Sequence, residues 1–116
     1  MKKSLALLRN GFESSSTLTP DFAQFFRTFK SEFGRELKDI GATDIVFHRG
    51  HFYISGFFSK DGKAFYFSIS DVRGFSESSN HFSSLLYRTA KNYKDYTGGT
   101  NQYVKIEPGM TLRMNI

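Results

Sequence analysis

Three cations, Arg88, Lys91 and Lys94, are interleaved with Tyr87, Tyr93 and Tyr96. Charge beside aromatic rings suits a nucleic-acid backbone with exposed bases, because each base can stack on a ring while its phosphate meets an ammonium or guanidinium. The same composition suits an acidic protein surface. A structural alternative stands beside both, in which the rings tuck under a loop with their hydroxyls outward. A second group, His48, Tyr53, Phe57 and Tyr66, falls on alternate positions of apolar runs and could also stack bases. The competing reading has a C-terminal segment covering those rings.

Other patterns carry less. Arg49-Gly50-His51-Phe52-Tyr53-Ile54 echoes the sheet motif of RNA-recognition domains, which opens with a basic residue, Gly and an aromatic, but it fails at His51 and Phe52. His48 and His51 form H-x-x-H, and His81 is the remaining histidine; with no Cys, three or four metal ligands are hard to assemble, so solvated turn histidines are expected and no metal or cofactor. Thr97-Gly98-Gly99-Thr100 lacks the Lys-Ser/Thr and the strand-loop-helix context of a phosphate loop. No nucleophile with a base and its orienter and no paired carboxylates stand out, and a non-enzyme is expected.

Positioning these residues requires a sheet. Residues 44–71 (DIVFHRGHFYISGFFSKDGKAFYFSISD) hold three runs rich in Val, Ile, Phe and Tyr. Such residues favour a pleated surface, and Asp61-Gly62 between two runs is a strong hairpin signal. The expectation is an antiparallel meander with strands at 43–48, 51–59 and 63–71. Alternation places Ile45, Phe47, Phe52, Ile54, Phe58, Phe65, Phe67 and Ile69 on one face, and Val46, His48, Tyr53, Ser55, Phe57, Tyr66 and Ser68 on the other. That second face is too apolar for a plain solvated surface, so it is either covered or a working surface. Residues 84–90 fit a fourth strand slightly better than a helix, 91–102 read as a loop, and 103–106 as a last short strand.

Before the meander comes a helix, expected at 20–40. Thr19 suits the N-cap, Pro20 the first turn, Asp21 the positive end of the dipole, and Gly41 the C′ position. Phe22, Phe26, Phe29, Phe33, Leu37 and Ile40 recur at steps of three and four, opposite Gln24, Arg27, Lys30, Ser31, Arg35 and Lys38. Such a face has to lie across the meander. The fold class is therefore α+β: one long amphipathic helix on an antiparallel meander of three to five strands. The organisation expected is a segment and linker at 1–18, a single domain at 19–107 and a tail at 108–116.

At 116 residues, with 14 Phe and 6 Tyr, the chain supports one aromatic-rich core. A net charge of +5 favours anionic partners. The lack of Cys fits a reducing compartment. The apolar run after Lys2-Lys3 is too short for a signal peptide and ends at Arg9, and no run approaches the roughly 20 residues that span a bilayer. A cytoplasmic protein with no membrane partner is expected.

The stretch Arg88 to Val104 (RTAKNYKDYTGGTNQYV) resembles one in small proteins encoded on conjugative transposons and related mobile elements of Clostridium-like gut bacteria. The segments GHFYISGFF and KAFYFSISDVR look like the preceding hairpin of the same proteins, so the resemblance spans residues 50–104. That family is uncharacterised, so the resemblance implies a genetic setting and no catalytic residues. Together these readings predict a small accessory protein that binds single-stranded nucleic acid through Arg88, Lys91, Lys94, Tyr93, Tyr96, Tyr53, Tyr66 and His48. The alternative is a protein-interaction module or homodimer with no nucleic-acid role.

Overall fold

One helix lies across one face of a five-stranded antiparallel sheet whose strands follow chain order. The computed structural model describes residues 3, 4, 7, 20–50, 52–69, 84–92, 94, 95 and 97–105. Helix α1 spans Pro20–Asp39, and the strands are β1 Thr43–Arg49, β2 Ile54–Lys60, β3 Lys63–Ile69, β4 Ser84–Ala90 and β5 Gln102–Lys105. The α+β class and the fourth strand agree with the sequence reading. Thr19, the expected 72–84 connection and the 108–116 tail lie outside the described residues, apart from Ser84, which opens β4.

Local chemistry explains each boundary. Helix α1 stops because Gly41 takes φ 92°, its amide donating to Lys38 O at 3.0 Å while the Ala42 amide reaches Leu37 O at 2.9 Å. These are the two bonds of a Schellman cap, and buried Ala42 next to Leu37 supplies the apolar contact that accompanies it. Between β2 and β3, Asp61 and Gly62 have φ 52° and 77°, the primed turn that suits the twist of the flanking strands. In β1, Thr43 pairs with Ser59 and Val46 with Phe57, so one residue is extra; Asp44, at φ 52°, lies inside that bulge.

The second strand begins later than its apolar run suggests, at Ile54 rather than residue 51. The Gly50 amide donates to Tyr53 O at 2.9 Å, closing a tight turn just ahead of β2. Phe52 takes φ 59° there, costly for an aromatic residue. Its ring is nonetheless fully buried, 5.0 Å from Phe22, so burial holds the turn in place.

The core is aromatic. Phe22, Phe25, Phe29, Phe33 and Leu37 of α1 are fully buried against Ile54, Phe58, Phe65, Phe67 and Ile69, with Leu85 and Tyr87 added by β4. Phe33 centres it, stacked on Phe29 at 5.1 Å and edge-on to Phe67 at 5.0 Å and Phe47 at 6.2 Å. Two expectations are corrected. Phe25, absent from the expected helix face, is fully buried, while Phe26 lies at the margin under the Arg49 guanidinium, 5.9 Å from its ring centroid. At about 100° per residue Phe26 stands about 40° to one side of Phe22 and Phe25 about 60° to the other, and docking on the sheet selects Phe25. Tyr87, grouped with the loop cations by sequence, belongs to the core, since β4 turns it toward α1.

Lys3, Ser4 and Leu7 are helical and dock beside α1. Glu32 accepts the Ser4 amide (2.8 Å), the Ser4 hydroxyl (2.6 Å) and the Lys3 amide (3.1 Å). Burial pushes the Glu32 carboxyl up, but the hydroxyl and two amides outweigh it and hold the group below its ordinary value. Glu36, one turn on, is held above its ordinary value by burial. The signs of the two effects on stability are opposite. Glu32 contributes stability above its unfolded pKa that is lost as pH falls through the lower folded value; Glu36 contributes stability at acid pH that is lost as pH rises through its higher folded value. Glu32→Gln is therefore expected to destabilise the fold at neutral pH, by about 1 kcal/mol because the carboxylate is only partly shielded from solvent. Glu36→Gln is expected to be neutral or stabilising at neutral pH. Both effects should shrink at acid pH, in thermal melts across pH 3–7 by circular dichroism; equal effects of one sign would contradict the assignment.

Candidate nucleic-acid interface

Helix α1 covers one face of the sheet, and among the described residues no helix or strand covers the other. Pairing aligns that face into rows. One row reads Val46, Phe57, Tyr66, Arg88 across β1 to β4. Beside it runs His48, Ser55, Ser68, Leu86, Tyr103, which reaches β5. A third row, Ser59, Ala64, Ala90, is made only of small side chains.

The first row is held by ring contacts. Phe57 and Tyr66 meet edge to face at 5.5 Å, and His48 stands edge-on to Phe57 at 6.4 Å. The Arg88 guanidinium sits 5.0 Å over the Tyr66 ring and donates to Asn101 Oδ1 at 2.7 Å, which ties β4 to the start of β5. Held in this way, its plane is oriented in advance, as bidentate phosphate or base contacts require. Phe57 is only 8 % exposed and forms the floor; Val46 at 40 % and Tyr103 at 64 % are the open flanks. A planar, electron-rich guest would therefore meet His48, Tyr66 and Tyr103, with Phe57 beneath.

A shallow recess at the β2–β3 hairpin end is lined by Ser59 and Ala64 of that row, by Lys60, Lys63 and Lys91, and by the acidic Asp44 and Asp61. Lys60 is paired with Asp61 at 2.9 Å, while Lys63 and Lys91 are exposed at its rim. Lys94 lies farther along the β4–β5 loop. That loop is self-bonded: the Lys94 amide donates to Asn92 Oδ1 at 2.8 Å, the Thr97 amide and hydroxyl to Asp95 Oδ1 at 3.0 and 2.6 Å, and the Lys91 amide to Thr97 O at 3.1 Å. These hydroxyl and amide bonds hold the Asp95 carboxyl below its ordinary value. Gly98 and Gly99 take positive φ, and Gly99 packs directly on Thr89. The Thr97-Gly98-Gly99 segment thus closes a loop, which accounts for its glycines without a ligand.

Of the residues singled out by sequence, His48, Tyr66 and Arg88 share one surface, with Lys91 at its end. Arg88 is a strand residue, not a loop residue. Tyr53 precedes β2 and lays its ring against Gly50 at the hairpin tip, 45 % exposed. Tyr93, Tyr96, His51 and His81 lie outside the described residues. Tyr103 and Leu86 were not anticipated on this face; pairing with Ser68 puts Leu86 there, and pairing with Leu86 puts Tyr103 there. Among the described residues no group of three or more His, Asp or Glu could hold a metal ion, and no helix is long and apolar enough to cross a membrane. Compared with protein-family models, curated proteins and solved structures, the chain matches none.

Proposed function

We propose that this chain is a non-enzymatic binding module that takes single-stranded nucleic acid on the open face of its sheet, with bases on His48, Tyr66 and Tyr103 and phosphates at Arg88, Lys63, Lys91 and Lys94. The observation that carries the reading is the row Val46–Phe57–Tyr66–Arg88 with His48 against it. It offers rings and an oriented guanidinium side by side on a face that no described element covers. Stacking is sequence-tolerant and the cations supply the affinity, so the expected specificity is for single strands rather than for a sequence. A role as an accessory protein of a mobile element belongs to the same proposal and rests on the resemblance of residues 50–104 alone.

Titration of labelled single strands at about 50 and 200 mM salt tests it, because each neutralised phosphate releases counterions and steepens the loss of affinity. Tyr103→Ala removes a ring that contributes little to the core; it is expected to weaken binding about five- to 150-fold, the equivalent of one stacked base at about 1–3 kcal/mol. Lys91→Ala and Lys94→Ala should each flatten the salt slope by roughly one phosphate contact. Absence of binding at low salt would refute the proposal. Indifference to Lys91 and Lys94 with loss at Tyr103 would move the phosphates to Arg88 and Lys63. A second reading, self-association or a protein partner, is favoured by the apolar character of Val46, Phe57 and Leu86 and by β1 and β5 standing at the sheet's two sides. It requires a dimer or complex whose affinity changes little with salt.

A further inference from the structure

The outer stripe of α1 is as uniform as its inner one. Arg27, Lys30, Ser31, Gly34, Arg35 and Lys38 line one shallow furrow along the helix, and the four cations are exposed. Arg27 and Lys38 are nearly in line over about 16 Å of axis at 1.5 Å per residue, with Lys30 and Arg35 set to either side of that line. Among the described residues none of the four is engaged in an ion pair. The Glu32 carboxylate, nearest the Arg35 margin, is already taken by Ser4 and Lys3, and Lys3 adds a cation at that edge. Glu36 stands one turn beyond Glu32 on the same flank, turned farther from the furrow, and Asp39 stands at the helix end.

We propose that this stripe is a second, separate binding surface, for the phosphate backbone of double-stranded nucleic acid. Its chemistry selects the occupant. The furrow contains no aromatic or large apolar residue, so it offers bases nothing to stack on and a protein partner no anchor. The apolar face of α1 is buried in the core, so nothing remains to insert into a lipid surface. What is left is a strip of cations, two of them guanidiniums that match phosphate geometry. A duplex carries one phosphate charge per about 3.4 Å of axis on each strand, so a single strand presents about four or five over about 16 Å, enough to engage three or four cations without deforming the duplex. The stripe and the aromatic rows lie on opposite sides of the sheet, so one molecule can hold a duplex and a single strand at once. The stripe does not depend on the sheet-face reading.

Binding of a labelled duplex measured by fluorescence anisotropy tests the proposal. With three to four phosphate contacts, affinity is expected to fall about 40- to 150-fold between 50 and 200 mM salt. The variant Arg27→Gln/Lys30→Gln/Arg35→Gln/Lys38→Gln should abolish duplex binding at the lower salt, and the pairs Arg27→Gln/Lys30→Gln and Arg35→Gln/Lys38→Gln should each remove roughly half of the salt slope while melting like the parent. Tyr103→Ala should leave duplex binding unchanged, which separates failure of this surface from failure of the sheet face. Duplex binding that survives the four substitutions, no duplex binding at low salt, or binding to phosphatidylserine vesicles without binding to duplex would each overturn the proposal.

Discussion

Replacement of Phe33 by alanine is expected to cost about 3–5 kcal/mol, a large part of the roughly 5–15 kcal/mol that holds a domain of this size together. Phe33 is fully buried and its ring joins three elements, touching Phe29 of α1, Phe47 of β1 and Phe67 of β3. Phe47 and Phe67 also meet each other at 5.3 Å, so the four rings form a closed cluster that cannot collapse into the space a missing member leaves. The lost transfer energy and the residual cavity therefore add. The melting temperature should fall by about 15–30 °C, read by circular dichroism. Phe26→Ala is the internal comparison: its ring is half-buried and covered by Arg49, so it should cost about 1 kcal/mol. Equal losses at the two positions would show that the cluster does not centre the core.

How much of this was legible beforehand depended on whether the information was local. The 20–40 helix, its stop at Gly41 and the Asp61-Gly62 hairpin were written in spacing and turn chemistry, and the structure repeats them nearly residue for residue. The two sheet faces followed from alternation, so the core partners Ile45, Phe47, Ile54, Phe58, Phe65, Phe67 and Ile69 were sorted correctly. The start of β2 was not legible, because an aromatic residue at positive φ violates local preference and is held only by burial against Phe22. Phe26 was read as core and Phe25 was not, because Phe26 falls in step with Phe22, Phe33 and Leu37, and only the docked sheet turns the buried arc toward Phe25.

The candidate surface was legible in part for the same reason. His48, Phe57 and Tyr66 come from strands whose alternation was clear. Arg88 was grouped with the loop cations by its neighbours in sequence, although 84–90 was read as a strand; in β4 it lands over Tyr66 while Tyr87 turns inward. Tyr103 belongs to the face through the Leu86–Tyr103 register, a pairing across a long loop that no local signal encodes. The cations of α1 were visible as the polar side of a helix, but that Glu32 is held by Ser4 and Lys3 rather than paired with one of those cations is a tertiary fact.

The most damaging small change should be at a residue with no side chain. Gly56 sits in the middle of β2, paired with Phe47 on one side and Phe67 on the other. Its missing Cβ would project toward α1 and land on the Val46 carbonyl, with the Phe67 ring pressed against it as well. A ring can turn, but a backbone carbonyl locked in the β1–β2 ladder cannot withdraw without breaking the pairing beside the bulge at Asp44. Overpacking a core usually costs about 1–3 kcal/mol, and a collision with backbone belongs at or above the upper end. Gly56→Ala is thus expected to lower stability by about 3 kcal/mol or more. Amide exchange should accelerate first across Val46 to Arg49, because β1 is the strand displaced. Gly34→Ala provides the contrast. A Cβ there meets only the Phe47 ring at 3.8 Å, ordinary contact, and alanine favours the helix, so that variant should be neutral or stabilising by up to about 1 kcal/mol. If Gly56→Ala melts with the parent while its β1 amides stay protected, the close approach of β1 to β2 at this position is wrong, and with it the register that aligns Val46, Phe57, Tyr66 and Arg88.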